Sequence, residues 1–243
     1  MRTGILAAHR LTANQMGAKI AELLEDPNMA RFSATRILEG LNDSIAEFCI
    51  RTRCILDTVD VEFTATQREY NVKTFIDAAA DKELGTIARI GLYDGTTNDW
   101  PQEHLRGKSL FELDKLGLSA FGDGPAEAWY NDFVDFHQVS ILPVPIADWD
   151  AGPPKDNGLY VLYAAIPALM TYAAPNFGGL DAELPTLAQL PICYGAAGMI
   201  LEYGGGDELL RAQELLAEFE RGIREAITGA SLAHTEYGDV RPS

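Results

Sequence analysis

The stretch from Phe136 to Pro167, FHQVSILPVPIADWDAGPPKDNGLYVLYAAIP, decides how this chain is read. Two apolar runs, Val139 to Val144 and Leu159 to Ile166, flank a polar loop rich in Pro and Gly. Runs of this length, rich in Val, Ile and Tyr and bounded by turn residues, read as strands. The loop from Asp148 to Gly158 predicts a long hairpin between them. On a strand, Leu159, Val161, Tyr163 and Ala165 share one face, while Tyr160, Leu162, Ala164 and Ile166 share the other. Both faces are apolar, so both need cover from the chain's own core or from another subunit. Pro143 and Pro145 cannot donate to a ladder, which makes that end of the first run an edge or a departure from the sheet.

Working towards the N-terminus, the centre is rich in strands. Val59, Val61 and Phe63 alternate with polar neighbours and predict a half-buried strand, returned through Ala65 to Arg68 into Glu69 to Val72. Thr86 to Leu92 predicts another strand, and Lys108 to Leu116 a short helix. Ala128 to Asp135 and His137 to Leu142 read as two strands joined tightly. The first 54 residues are an arm followed by helices. Met16, Ile20, Leu23 and Leu24 mark a helix over Ala13 to Glu25, stopped by Asp26-Pro27-Asn28. Ser33 is an N-cap for a helix over Ala34 to Arg53, whose Ile37, Leu41, Ile45, Phe48 and Cys49 make one core-facing stripe.

Towards the C-terminus, Pro167 to Leu190 reads as an irregular connector. A helix follows, its regular part starting at Pro191 and running to Tyr203. The small residues Gly195 to Gly198 permit close helix packing. Gly204-Gly205-Gly206 ends it, and Asp207 caps a second helix over Glu208 to Thr228, completing a helix hairpin. Ser231 to Ser243 lacks periodicity and reads as an arm. The fold class is therefore α+β: a helical bundle from both chain ends with a central antiparallel β-rich domain. The divisions fall at 1–54, 55–167 (with the long hairpin at 136–167), 168–230 and 231–243.

Composition narrows the function. The 243 residues carry 36 acidic against 19 basic side chains, a net charge of −17, which argues against a general nucleic-acid binder. The acidic balance serves solubility, or a surface that faces DNA without holding it. No run approaches the roughly 20 apolar residues of a membrane span, and the N-terminal apolar run is too short for a signal peptide. Three cysteines, Cys49, Cys54 and Cys193, fit a reduced intracellular protein better than a disulfide framework.

The catalytic inventory is thin. His9, His104, His137 and His234 are scattered without metal-site spacing. Cys49 and Cys54 lack a second ligand pair, so packing is their default reading. Nucleophile-elbow, phosphate-loop and dinucleotide-binding motifs are absent. Asp94-Gly95-Thr96-Thr97-Asn98-Asp99 lacks the alternating ligands of a calcium loop, and Gly122 to Pro125 is a turn. Asp148 and Asp150 flank Trp149 at the hairpin tip, where a tryptophan in a polar loop marks a contact surface. The residues thus define no reaction, cofactor or metal, and suit an interaction or assembly protein.

The order of features resembles the head-to-tail adaptor (connector, or head-completion) proteins of tailed bacteriophages. The resemblance starts at Phe32-Ser33-Ala34 entering Ile37-Leu38-Glu39-Gly40-Leu41-Asn42-Asp43-Ser44-Ile45. It continues through Gln67-Arg68-Glu69-Tyr70-Asn71-Val72, Ala128-Trp129-Tyr130, Ile141-Leu142-Pro143-Val144-Pro145, and the run from Leu159 to Pro167. It ends with Leu184-Pro185 before the helix hairpin, and covers roughly residues 30 to 230. The chain departs from the family's pattern where Lys73 to Asp77 continues the return strand without the usual proline.

The resemblance implies a non-enzymatic virion protein, made in the host cytoplasm and placed at the head-tail interface. It implies a homo-oligomeric ring of twelve copies beneath the portal protein that extends the DNA channel. DNA passes through without specific binding, tail proteins (nozzle, tube or terminator) dock on the ring, and no membrane is involved. On this reading the C-terminal arm, with Leu232, His234, Tyr237 and Arg241, contacts the portal. Pro143, Pro145, Asp148, Trp149 and Asp150 contact a neighbouring subunit or the tail. Two alternatives remain: another tail component such as a terminator or tube protein, and a metal-dependent hydrolase using Asp94, Asp99, Asp148 or Asp150.

Overall fold

The computed structural model describes residues 10–62, 67–76, 82–93, 103–104, 106–107, 128–131, 138–142, 158–180 and 183–237. The fold is α+β, as the patterning predicts. The chain divides into two compact units, one formed by Met1–Ile55 with Ile166–Ser243 and the other by Leu56–Ala165.

The first unit begins with α1 (Ala13–Leu23). Its Thr12 cap accepts from the Gln15 N–H, while the Gln15 side chain accepts from the Thr12 N–H, a capping box. The turn after α1 is built around Asp26. Its carboxylate accepts from the N–H groups of Ala30, Arg31 and Phe32 at 2.9, 2.7 and 2.8 Å. These bonds hold the Asp26 carboxyl below its ordinary pKa, chiefly through Phe32. Helix α2 (Ala34–Thr52) starts at the Ser33 cap and buries Ile37, Leu41, Ile45, Phe48 and Cys49, as its stripe requires.

The connector after the central unit differs from the expected irregular segment. It contains a small antiparallel hairpin of two strands, β9 (Thr171–Ala173) and β10 (Asn176–Gly178), turning through a cis Ala174–Pro175 bond. Side-chain amides hold it to the helices. Asn42 of α2 bonds both backbone groups of Met170, and Asn14 of α1 accepts from the Phe177 N–H at 2.7 Å.

Helix α4 (Thr186–Leu201) starts five residues before the expected Pro191. Pro191 removes one N–H that would bond the carbonyl of residue 187, where the helix is exposed, so the loss is tolerated in this first stretch. Helix α5 runs over Asp207–Tyr237, nine residues beyond the expected stop at Thr228. Gly229 costs about 1 kcal/mol relative to Ala, but Ala230, Leu232 and Ala233 beyond it are good helix formers.

Among the described residues, the central unit holds two four-stranded sheets. The first has the order β1 (Leu56–Glu62), β8 (Gly158–Pro167), β3 (Lys82–Tyr93), β4 (Glu103–His104). The second has the order β2 (Glu69–Asn71), β7 (Gln138–Leu142), β6 (Ala128–Asn131), β5 (Arg106–Gly107). Pairing is antiparallel between β1 and β8, β3 and β4, β2 and β7, and β6 and β7, but parallel between β5 and β6.

Two expected pairings are corrected. The strands of the 136–167 stretch, β7 and β8, do not form a hairpin with each other; β8 lies between β1 and β3, and β7 between β2 and β6. Likewise β2 is not the return partner of β1, because the two lie in different sheets. The first correction follows from the long connection between β7 and β8, which leaves pairing to side-chain complementarity rather than to turn geometry. The one-turn helix α3 (Lys73–Ile76) also replaces the expected continuation of the return strand. On β8, Val161, Tyr163 and Ala165 are buried, while Tyr160, Leu162 and Ile166 on the other face are half-buried.

Candidate assembly surface

The first unit is closed around glycines. A Cβ at Gly195 of α4 would meet the Phe219 ring of α5 at 2.8 Å and collide with the Ser44 hydroxyl of α2. One at Gly198 would lie 2.8 Å from Leu216, and one at Gly222 of α5 would strike the ring of Pro191. Gly40 of α2 meets Ile200 in the same way at 3.0 Å. Absent side chains thus let α2, α4 and α5 approach closely, as the run of small residues in α4 predicts. The buried Ser44 hydroxyl donates to the Ile192 carbonyl at 2.9 Å and leaves no orphan at this crossing.

With its middle closed, α4 keeps its apolar excess at its ends. The helix is apolar on every side, a pattern of full burial. Yet Leu187 is 84% exposed and Leu190 43%. They border a groove of about 750 Å³ between α1, α4 and α5, lined also by Leu11, Lys19, Tyr194 and Arg221. A second cavity of about 450 Å³ shares Leu187 and Pro191 with it and reaches Phe48 and Cys54. Gln189 fixes the wall of the groove: its buried side chain accepts from the Leu11 N–H at 2.6 Å and donates to the Leu11 carbonyl.

The far end of the same helix exposes a different patch. Tyr203 is 84% exposed with the Arg36 guanidinium 5.6 Å from its ring centroid, and Leu209 and Leu210 follow the Gly204–Gly206 turn. Gly206 has φ +59°, a conformation suited to glycine. The surrounding charges are largely matched. Arg31 pairs with Glu208, Arg211 with Glu25, and Arg221 with Glu218 and Glu225. The Arg51 fork takes Glu220 of α5 at 2.5 and 2.7 Å and Glu47 at 2.9 Å, which raises the pKa of Arg51 and lowers that of Glu220. The apolar patches are therefore framed by neutralised ion pairs, an arrangement suited to protein contact.

The residues singled out from sequence fall as follows. Leu232, His234 and Tyr237 lie on the last turns of α5, in a helix instead of an arm. Arg241, Pro143, Pro145, Asp148, Trp149 and Asp150 lie outside the described residues, as do Asp94, Asp99, His9, His137, the Lys108–Leu116 segment and the Gly122–Pro125 turn. His104 sits in β4. Among the described residues, no group of three or more His, Cys, Asp or Glu is placed to hold a metal ion. None of the described helices is long and apolar enough to cross a membrane. Sequence reasoning missed Leu187 and Leu190. The signal available was an all-apolar helix opening between two prolines, which places leucines on a segment too irregular to be enclosed on all sides.

A helical unit with unlike apolar patches at the two ends of one helix, and no gathered catalytic set among the described residues, has the character of an assembly protein. The family model described as SU10 adaptor protein matches residues 11–242. The chain belongs to this family of phage structural adaptors, which associate with portal and tail proteins as virion components. No curated protein matches the chain.

Proposed function

We propose that this chain is a non-enzymatic ring adaptor between the portal and the tail, extending the DNA channel and supporting head completion and tail attachment. Family membership over residues 11–242 carries the reading. The two apolar patches support self-association. A ring closed by rotation needs one surface to fit a different surface of the next copy, and the Leu187–Leu190 end and the Tyr203–Leu210 end of one subunit are different surfaces. In this reading a ring of twelve copies forms beneath the portal, and the acidic balance lets DNA pass without specific binding. The protein is made in the host cytoplasm and incorporated into the virion.

The end of α5 and the residues after it, with Leu232, His234, Tyr237 and Arg241, are proposed to contact the portal. The segment with Pro143, Pro145, Asp148, Trp149 and Asp150 is proposed to contact a neighbouring subunit or a tail protein. Solution mass measurement, alone and with purified portal, tests the assignment. Assembly on portal into a ring supports it; a strict monomer that never binds portal overturns it. Deleting residues 231–243 should weaken portal attachment with the fold intact, and Trp149→Ala should weaken tail or neighbour attachment. Unchanged attachment removes the respective contact.

A further inference from the structure

The end of α2 brings two thiols together. Arg53 closes the helix in the left-handed conformation, φ 52° and ψ 37°, with its N–H bonded to the Cys49 carbonyl at 2.8 Å. That turn reverses the chain and lays residue 54 over the last helical turn. The Cys54 and Cys49 sulfurs stand 3.8 Å apart and are not joined by a disulfide bond. Closing this gap to a disulfide bond of about 2.05 Å needs a movement of under 2 Å.

The two positions are unequal. Cys49 is fully buried, whereas Cys54 is half-buried and lines the cavity of about 450 Å³ beside α4 and α5. We propose that Cys54 is a peroxide-reactive thiol and Cys49 its resolving partner, the pair closing to an intrahelix-end disulfide when the virion protein meets hydrogen peroxide. Several groups favour the Cys54 thiolate. Its pKa is drawn down to about 7, first by the hydrogen bond with Cys49, then by the Thr52 hydroxyl and the N–H groups of residues 54 and 55, against the opposing effect of burial. The charged groups lining the cavity with it are Arg53 from its own segment and Glu225 from α5. Cys193 is a contrast within the same unit: burial pushes it up to about 12, and its thiol faces the Met16 carbonyl.

The chemistry closes without a further reagent. The Cys54 thiolate attacks one peroxide oxygen and the O–O bond breaks. Sulfur is oxidised to the sulfenic acid, the peroxide is reduced, and the departing hydroxide takes the proton released by the thiol to become water. The Cys49 sulfur then attacks Cys54, the S–O bond breaks, and the leaving hydroxide takes the Cys49 proton as a second water.

The test uses the full-length, reduced protein treated with hydrogen peroxide, capped with a maleimide and digested without reductant. Trypsin cuts after Arg51 and Arg53, so the two cysteines fall on different peptides unless they are bonded. The expected result is one joined Cys49–Cys54 peptide pair, lighter by two hydrogens than its separate thiols, with Cys193 still free. In Cys49→Ser, a dimedone adduct on Cys54 should replace the joined pair. A free Cys54 thiol after Cys193 has oxidised overturns the proposal. Over-oxidation of Cys54 in the wild type to the same extent as in Cys49→Ser also overturns it, because Cys49 then resolves nothing. The wild-type map stands even where the variant fails to fold.

Discussion

Asn42 completes the backbone of Met170: its carboxamide accepts from the Met170 N–H at 2.9 Å and donates to the Met170 carbonyl at 3.2 Å. The two residues are 128 positions apart. One side chain on α2 thereby fixes where the chain re-enters the helical unit. Asn42→Ala leaves both groups without a protein partner and should destabilise the fold by about 2 kcal/mol. Asn42→Asp keeps the acceptor and should cost less. A urea midpoint unchanged by the alanine substitution would show that water replaces the amide at no cost.

Gly195→Ala should destabilise by about 1–3 kcal/mol, because the added methyl must displace the Phe219 ring and the Ser44 hydroxyl. Gly205→Ala is the control. Nothing lies within 4 Å of a Cβ built there, and its effect should stay within about 0.5 kcal/mol. Equal midpoints for the two variants would contradict close helix packing at Gly195.

The Asp26 carboxylate predicts an acid limb of stability. Its pKa is lowered in the folded state, so its stabilisation is complete above the ordinary value of about 3.8 and disappears as the pH falls through the folded one. Asp26→Asn should therefore flatten the stability profile between about pH 2 and pH 5. Parallel profiles for wild type and variant would assign the acid limb to other carboxylates.

Cys54 should react with iodoacetamide along a titration curve centred near pH 7, and Cys193 should stay unreactive in the folded protein. Removing the neighbouring donor in Cys49→Ala should move the Cys54 curve up, because the hydrogen bond with Cys49 is the largest effect lowering its pKa. A curve centred at the ordinary cysteine value in the wild type would show that the contact with Cys49 does not favour the Cys54 thiolate.

Leu187→Glu should change the unfolding free energy by no more than about 0.5 kcal/mol, because the side chain is 84% exposed. It should reduce association into rings, which mass measurement on portal reads directly. Full assembly of this variant would exclude the Leu187 end of α4 from the subunit contact.

The parts of the fold legible in the sequence are those governed by local physics. Ser33 marks the start of α2 because a hydroxyl cap competes with few alternatives, and Ala128 to Leu142 gives two neighbouring strands that pair. Pairing across long loops was not legible. The apolar runs ending in Val144 and beginning at Leu159 advertise strands, but nothing in their side chains says that β1 and β3 flank the second. Pro191 misled the placement of the α4 start because its penalty depends on whether the opposing carbonyl reaches water. The thiol contact was invisible for a similar reason: Cys49 and Cys54 are five apart, a spacing that does not meet on a continuing helix, and only the left-handed Arg53 folds them together. Of the proposed portal contacts, Leu232, His234 and Tyr237 have a helical backbone that the weak periodicity after Gly229 concealed.

Leu56 stands opposite Ala164 where β1 pairs with β8. The chain therefore leaves the helical unit at Ile55 and comes back at Ile166 along the paired strands β1 and β8, and β8 carries β3 on its other edge. Changes of length outside these paired strands leave the register of β1 on β8 intact. Natural variation in the size of this protein should accumulate outside the paired strands β1, β3 and β8, and a foreign segment grafted there would re-target the adaptor without redesigning its helical frame.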